Sequence, residues 1–223
     1  MRKARRITIP IVIIPLLVLA IASSVFVARI IRSATSRLPK VVQSALSERI
    51  NGEVRIGAFE TRTMGVVALR DVQIIDSHTK QTVVSVPTIE ITYSVADLLS
   101  GKRKPTESIR SIEIHRPKLL LERDSNGKWN VTRLLKPTSG RQRLFNPKIR
   151  ATSASITLRD YAGRGKKAEE NQLEHVNAFI DLANPQHAKF SVSGQGPSNR
   201  LRRFTVSGRY GLDNRAIKAS LNL

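Results

Sequence analysis

The chain has 223 residues, of which 40% are apolar and none is cysteine, and its formal net charge is +21. These figures exclude disulfide-stapled domains and cysteine-ligated zinc modules. Because there are only 12 Gly and 10 Pro, they also exclude a collagen-like or low-complexity chain. The charge leaves three classes of partner, which are nucleic acid, an anionic membrane surface and an acidic protein.

The N-terminal segment contains a long run without a charged side chain, residues 7–28. A helix of that length spans about 33 Å, the thickness of a hydrocarbon core. We predict a membrane anchor over residues 1–31. A cleaved signal peptide is the alternative, because Ala20-Ile21-Ala22 matches a small-x-small cleavage site. The short basic tail favours a cytoplasmic N-terminus with the rest of the chain outside the cytoplasm.

The anchor region also accounts for part of the charge. Residues 1–40 hold eight Lys and Arg and no acidic residue, which leaves a net charge of +13 on the remainder. After Asn51-Gly52, apolar and polar residues alternate, which predicts strands with one apolar face. The first predicted strand covers Val54–Ala58, and about ten strands follow one another to Leu223. Helices are predicted only near residues 36–46 and at 95–99.

Such a set of strands can close as a sandwich, close as a barrel, or form a long bent sheet whose apolar face is covered by something else, such as lipid. Two observations favour the bent sheet. Aromatic residues, which commonly fill sandwich cores, make up only 4% of the chain. The last alternating run stops at Leu223 without a turn, which predicts an open sheet edge.

Signatures of enzymatic chemistry are missing from the sequence. The four histidines lie in unrelated segments without metal-ligand spacing, and there is no thiol nucleophile, glycine-rich phosphate loop or nucleophile elbow. We therefore predict no catalytic residue, metal or cofactor. Asp160 fits a turn acid, and the triplet Asn130-Val131-Thr132 matches the N-glycosylation pattern, which often arises by chance.

Basic residues cluster at three predicted turns or strand ends. The first interpretation is solvated loop charge, and the second is contact with anionic phospholipid headgroups. Nucleic acid is the least favoured partner, because stacking aromatics are lacking and the anchor places these loops outside the cytoplasm. The clusters are Lys102-Arg103-Lys104, Arg164–Lys167, and Arg200 with Arg202 and Arg203.

The order of motifs between Glu53 and Pro137 resembles the N-terminal region of the AsmA-like superfamily, and within it the TamB (translocation and assembly module) group. V-x-I-G is followed by L-x-D-V-x-I-x-D, then by I-x-I-x-Y-S-x-x-D-L-L-x-G, and finally by R-D-x-x-G-x-W-N. Two F-x-V-x-G strands at 190–194 and 204–208 are similar to the repeats that follow in that family. The residues that carry the resemblance are Ile56, Gly57, Leu69, Asp71, Val72, Tyr93, Leu98, Leu99, Pro117, Arg123, Gly127, Trp129 and Asn130.

The resemblance implies a mainly β fold, in which an N-terminal transmembrane helix precedes an elongated, open, groove-like (β-taco) antiparallel sheet. It implies a protein of the diderm cell envelope, anchored in the inner membrane by a single span, with the bulk of the chain in the periplasm. The implied function is phospholipid transport between the inner and outer membrane and outer-membrane biogenesis. The alternative is a TamB-type secretion or assembly factor that pairs a strand with an outer-membrane barrel partner.

The resemblance also sets the implied partners, boundaries and site. The partners are phospholipids, the inner membrane, and an outer-membrane barrel protein or a further groove-forming chain. Family members are several times longer, and about ten strands would give a groove of only about 50 Å. We divide the chain into an anchor (1–31), a β domain (32–135), a linker (136–147) and the start of the groove repeats (148–223). The candidate lipid-binding residues on the groove face are Ile89, Ile91, Ile112, Ile114, Leu119, Leu121, Ile156, Leu158, Val176, Ile180, Leu182, Phe190 and Val192.

Overall fold

A computed structural model describes the chain in nine ranges, which are 50–63, 65–94, 96–97, 109–134, 147–161, 169–184, 186–196, 203–211 and 216–222. The predicted anchor, the predicted helix at 36–46 and most of the predicted linker lie outside these ranges. Of the predicted helical turn at 95–99, Ala96 and Asp97 are described, and both are helical. No helix in the described ranges has the length and apolar character that a bilayer span needs.

Strands dominate the described part of the chain, as the alternation predicted. One short helix, α1 (Asn130–Leu134), lies between the sixth and seventh strands. The strands are β1 (Gly52–Arg55), β2 (Ala58–Thr63), β3 (Val66–Asp76), β4 (Thr82–Tyr93), β5 (Ile109–His115), β6 (Lys118–Arg123), β7 (Lys148–Asp160), β8 (Glu169–Asp181), β9 (His187–Gln195), β10 (Phe204–Gly211) and β11 (Ile217–Asn222).

All eleven strands belong to one mixed sheet. β1 and β2 lie end to end along β3, and β5 and β6 lie end to end between β4 and β7. The sheet therefore has nine strand positions, in the order β1/β2, β3, β4, β5/β6, β7, β8, β9, β10 and β11. At the usual spacing between strands these positions extend over about 40 Å.

The prediction of an antiparallel sheet is wrong where β7 meets β5 and β6, whereas β7 and β8 are antiparallel. β7 runs parallel to β5, with Ile149 opposite Ile112, and parallel to β6, with Ile156 opposite Leu119. Parallel neighbours need a connection of about a dozen residues or more, and residues 124–147 provide it. Apolar and polar residues alternate in the same way in parallel and in antiparallel strands, so the sequence pattern could not distinguish the two arrangements.

The predicted first strand, Val54–Ala58, is also wrong, because the structure divides it at Ile56 and Gly57. β1 and β2 pair with different parts of β3, and the Gly57 amide donates to the Arg70 carbonyl at 3.0 Å. Opposite the break, Asp71 has a left-handed backbone with φ of 50°. β1 and β2 keep the same register on either side of the break, with Arg55 opposite Gln73 and Ala58 opposite Arg70, so the two strands are separated without a bulge.

Asp71 belongs to a line of irregular residues that crosses several strands. Arg116 between β5 and β6, Ser153 on β7 and His175 on β8 have φ values of 50–54°, and Pro87 lies at the same level of β4. Each irregularity shifts the inward-facing residues by one position. In β7, for example, Ala151 is buried before the line and Ala154 after it. The line therefore marks where each strand changes the set of alternate residues that it buries.

Apolar residues from both sides of this line form one aliphatic cluster. Isoleucine and valine are its commonest residues, and Phe190 is the only aromatic residue that is buried in the described ranges. The largest fully buried side chains are Ile50, Leu69, Ile74, Ile89, Ile91, Ile112, Ile114, Leu121, Ile149, Ile156 and Ile180.

Candidate functional site

The thirteen candidate residues all lie on the inner face of the sheet. Twelve of them, on β4 to β9 or directly after β8, are buried members of the aliphatic cluster. The remaining one, Leu158, is half-buried and packs against it. The structure thus brings together all thirteen candidate residues. Whether these residues contact lipid stays a prediction.

The strand register arranges the inner face as continuous rows that cross the sheet. Residues directly opposite each other lie on the same face, so each row can be followed from strand to strand. One row, from β3 to β11, contains Val67, Ile91, Ile112, Ile149, Ile180, Phe190, Gly208 and Ala219. The next row contains Leu69, Ile89, Ile114, Ala151, Ala178, Val192, Val206 and Leu221.

The inner face becomes uncovered towards β11. Along the second row, Ala178 and Val192 are each 4% exposed, whereas Leu221 is 56% exposed. Val206 on β10 is half-buried, and Ile217 on β11 is 37% exposed. An apolar face that is packed in β3–β9 therefore opens to solvent in β10 and β11.

Ile217 and Leu221 belong to the last alternating run of the sequence but are not among the predicted site residues. Alternation shows which face a residue occupies, and it does not show whether another part of the chain covers that face. The signal that could have identified them is their place in the last strand of the series, which has fewer neighbours to pack against.

The two F-x-V-x-G strands pair with each other in a complementary register. Val192 lies opposite Val206, which places Phe190 opposite Gly208 and Phe204 opposite Gly194. A Cβ atom on Gly208 would lie 2.9 Å from Cζ of Phe190, and one on Gly194 would lie 2.9 Å from Cζ of Phe204. Each aromatic ring thus occupies the space that a side chain on the opposing glycine would need.

The outer face carries polar side chains, and in β2–β8 several of its arginines are held in ion pairs. Arg62 pairs with Glu90. The Arg159 guanidinium lies 2.7 Å from a carboxylate oxygen of Glu170 and 3.2 Å from one of Glu122. The hydrogen bonds to Glu170 and then to Glu122 raise the pKa of Arg159 above its ordinary value. This part of the outer face is therefore largely neutralised within the chain.

The register also brings together three side chains that could ligate a metal. Glu90 and Glu113 lie directly opposite each other on β4 and β5. One ligand atom from each of them and one from His115 lie within 4.8 Å of one another. Sequence spacing missed this group because β4 and β5 are far apart in the chain. Since Glu90 is already held by Arg62, we attribute the group to strand pairing.

The Asn130-Val131-Thr132 triplet has a structural role at the start of α1. Asn130 is only 3% exposed. Its Oδ1 accepts from the Glu122 amide at 3.1 Å, and its Nδ2 donates to the Leu120 carbonyl at 2.9 Å. A buried and fully engaged carboxamide is not an accessible glycosylation acceptor. Asp160, the predicted turn acid, lies 3.6 Å from the Arg123 guanidinium.

Comparison with known families gives a match to the AsmA family over residues 1–160. The matched interval takes in about seven-tenths of the chain and contains β1–β7 in full. A comparison with curated proteins finds no match. A match to this family points to a function connected with assembly of the cell envelope or with lipid transport.

Proposed function

Because the chain belongs to the AsmA family, we propose that it takes part in phospholipid transport between the inner and outer membrane and thereby in outer-membrane biogenesis. The inner face of the sheet shields acyl chains from water, and no residue carries out bond chemistry. The predicted anchor at 1–31 holds the chain in the inner membrane, with the sheet in the periplasm. The order of motifs at Glu53–Pro137 supports a TamB-type member.

The observation that supports this proposal is the continuity of the apolar rows up to strands where they are uncovered. Removing apolar surface from water is favourable by about 25 cal/mol per Å². Leu221 and Ile217 are both exposed, so an acyl chain that covers them lowers the free energy of the system. Inner-face residues such as Ile91 and Ile180 are fully buried, so lipid contact starts at β10 and β11.

Site-specific photo-crosslinking tests this proposal. A photoreactive residue at Leu221 or Val206, on the inner face, should capture phospholipid from native membranes. The same residue at Ser220 or Ser207, which are the next positions on the same strands and face outwards, provides the matched control. Equal capture from both faces would show that the inner face does not select lipid.

The alternative function, an assembly factor for outer-membrane proteins, is supported by a different observation. In the described residues β11 pairs with β10 alone, and all six of its residues are exposed. A strand edge with unpaired amides and carbonyls can accept another strand by β-augmentation. Crosslinks from Lys218 to an outer-membrane barrel protein, together with no lipid capture at Leu221, would favour this function.

A further inference from the structure

Acidic residues are unevenly distributed along the chain. Residues 182–223 contain seven Lys or Arg and one acidic residue, Asp213, whereas residues 41–181 contain 23 basic and 16 acidic residues. This segment of 42 residues therefore carries a net charge of +6, almost the +7 that the preceding 141 residues carry. The final part of the chain has several times the charge density.

The strand register gathers part of this charge into one row on the outer face. Lys189 on β9 lies opposite Arg209 on β10, and Arg209 lies opposite Lys218 on β11. All three side chains are exposed. Their inward-facing neighbours, such as Phe190, belong to the aliphatic cluster. The cations therefore point away from the interior, about 4.8 Å apart from strand to strand.

Two further rows on the same face consist of small polar side chains. We name the three rows together the cation–hydroxyl face. Its members are Lys189, Arg209 and Lys218 in the first row, Ser191, Ser207 and Ser220 in the second, and Ser193, Thr205 and Asn222 in the third. The face contains no carboxylate, and rows two residues apart along a strand lie about 7 Å from each other.

This face differs from the outer face of the earlier strands. There, arginines such as Arg62 and Arg159 are held by carboxylates. Within the described ranges, Arg209 and Lys218 have no acidic residue opposite them, and Asp181 lies opposite Lys189 at the margin of the row. Like charges directly opposite each other destabilise a sheet. An external anion would relieve that repulsion.

We propose that the cation–hydroxyl face binds the phosphate headgroups of an anionic lipid bilayer. The three cations supply charge, and the hydroxyl groups supply hydrogen-bond donors for phosphate oxygens. The small side chains of the second and third rows leave the face accessible to a headgroup. No aromatic residue lies on it, whereas base stacking on aromatic side chains is the usual basis of single-stranded nucleic-acid binding.

The opposite side of the same strands is compatible with this partner. Ile217 and Leu221 are exposed on the inner face of β11, so the sheet edge combines cations on one side with apolar residues on the other. Such an arrangement suits the interfacial region of a bilayer, where phosphate and hydrocarbon meet. Docking of the sheet on a bilayer through this face does not depend on lipid carriage by the interior.

Binding to vesicles of defined charge tests the proposal. The full chain is reconstituted in phosphatidylcholine nanodiscs, which cover its apolar N-terminal segment. It is then mixed with two kinds of vesicle. One contains phosphatidylcholine alone, and the other contains equal parts of phosphatidylcholine and phosphatidylglycerol. Binding should require phosphatidylglycerol and weaken as salt is added. Each basic residue near an anionic surface contributes about a fivefold gain in affinity.

Two triple variants distinguish the contribution of the cation–hydroxyl face to vesicle binding from the contribution of net charge. Replacing Lys189, Arg209 and Lys218 by Gln should weaken binding on the order of 100-fold. Replacing Lys118, Lys128 and Arg150 by Gln removes the same charge from exposed positions elsewhere, and should weaken binding by less than about tenfold. A single variant, Ser207→Asp, keeps all three cations but places a carboxylate in the row next to them, and it should also lose binding.

Three results would overturn the proposal. They are equal binding to neutral and anionic vesicles, equal losses in the two triple variants, and tighter binding to single-stranded DNA than to anionic vesicles. Circular dichroism confirms that each variant keeps its strands. Lipid capture from Leu221 should persist in the triple variant of the face, so failure of docking and failure of lipid carriage are distinguishable.

Discussion

The side chain of Asn177 connects two left-handed residues on neighbouring strands. Its Oδ1 accepts from the Ser153 amide at 3.0 Å, and its Nδ2 donates to the His175 carbonyl at 3.1 Å. Ser153 lies where the ladder between β7 and β8 shifts register. Because the backbone partner is displaced at this point, the carboxamide supplies the hydrogen bond that the ladder lacks.

Asn177→Ala should therefore destabilise the fold. It removes both hydrogen bonds, each of which contributes about 1 kcal/mol to the free energy of unfolding, so the expected loss is about 1–2 kcal/mol. Asn177→Asp keeps the acceptor but loses the donor, so its free energy of unfolding should lie between those of the parent chain and Asn177→Ala. Urea denaturation measures the stability of both variants. Gln172→Ala on the same strand removes one exposed 3.3 Å contact to Ser155 and should cost less than about 0.5 kcal/mol.

The line of left-handed residues could not be predicted from the sequence, although the strands could. Alternation correctly placed Val176, Ala178 and Ile180 on one buried face of β8. It gave no warning of the left-handed backbone at Ser153 or His175, because neither residue type carries the preference for positive φ that glycine does. These backbone conformations depend on pairing between strands that are distant in sequence, and local patterns do not contain that information.

Recognition of the family was possible because it depends on the order of several motifs. The resemblance to the AsmA-like superfamily is confirmed over residues 1–160, and membership of the TamB group stays a prediction. Helix α1 was missed since its five residues, Asn130–Leu134, are too few to show a helical period. The thirteen candidate residues share one face because the face of a strand residue is a local property, whereas the exposure of Leu221 depends on which strands lie beside it.

Gly208 is expected to tolerate no side chain. A Cβ atom there would lie 2.2 Å from the Lys218 carbonyl oxygen and 2.9 Å from Cζ of Phe190. Gly208→Ala must therefore push β11 away from β10 or displace the Phe190 ring. We expect a loss of about 1–3 kcal/mol, as for other overpacked sites, and faster amide hydrogen exchange in β11.

The neighbouring residue Ser207 provides the control for this prediction. Its side chain is on the outer face and exposed, so Ser207→Ala should leave stability and exchange in β11 nearly unchanged. Equal stability of the Gly208→Ala variant and the parent chain would show that β10 and β11 are not packed as closely as described.

Ile91 and Leu221 belong to the same apolar face but should respond differently to truncation. Ile91 is fully buried, whereas Leu221 is more than half exposed. Ile91→Ala should lower the free energy of unfolding by about 2–5 kcal/mol through lost burial and the cavity that remains. Leu221→Ala should cost less than about 0.5 kcal/mol, and chemical denaturation compares the two.

The proposed function adds a second expectation for Leu221. Leu221→Ala should reduce phospholipid capture by a photoreactive residue at Val206, which lies opposite it, although stability is unchanged. A reduction in stability as large as that of Ile91→Ala would mean that β11 is covered in the folded protein, contrary to its exposure in this structure.

Asn130 and Thr132 allow the structural role of the Asn-x-Thr triplet to be separated from any role in glycosylation, because either substitution destroys the triplet. Asn130→Ala leaves the Glu122 amide and the Leu120 carbonyl without their partner in a buried site. The expected loss is about 2–4 kcal/mol, since unsatisfied buried groups are costly. Thr132 is exposed and donates to the Trp129 carbonyl at 2.7 Å, so Thr132→Ala should cost about 1 kcal/mol or less. Thermal and urea unfolding compare the two variants, and equal losses would contradict the role assigned to the Asn130 carboxamide.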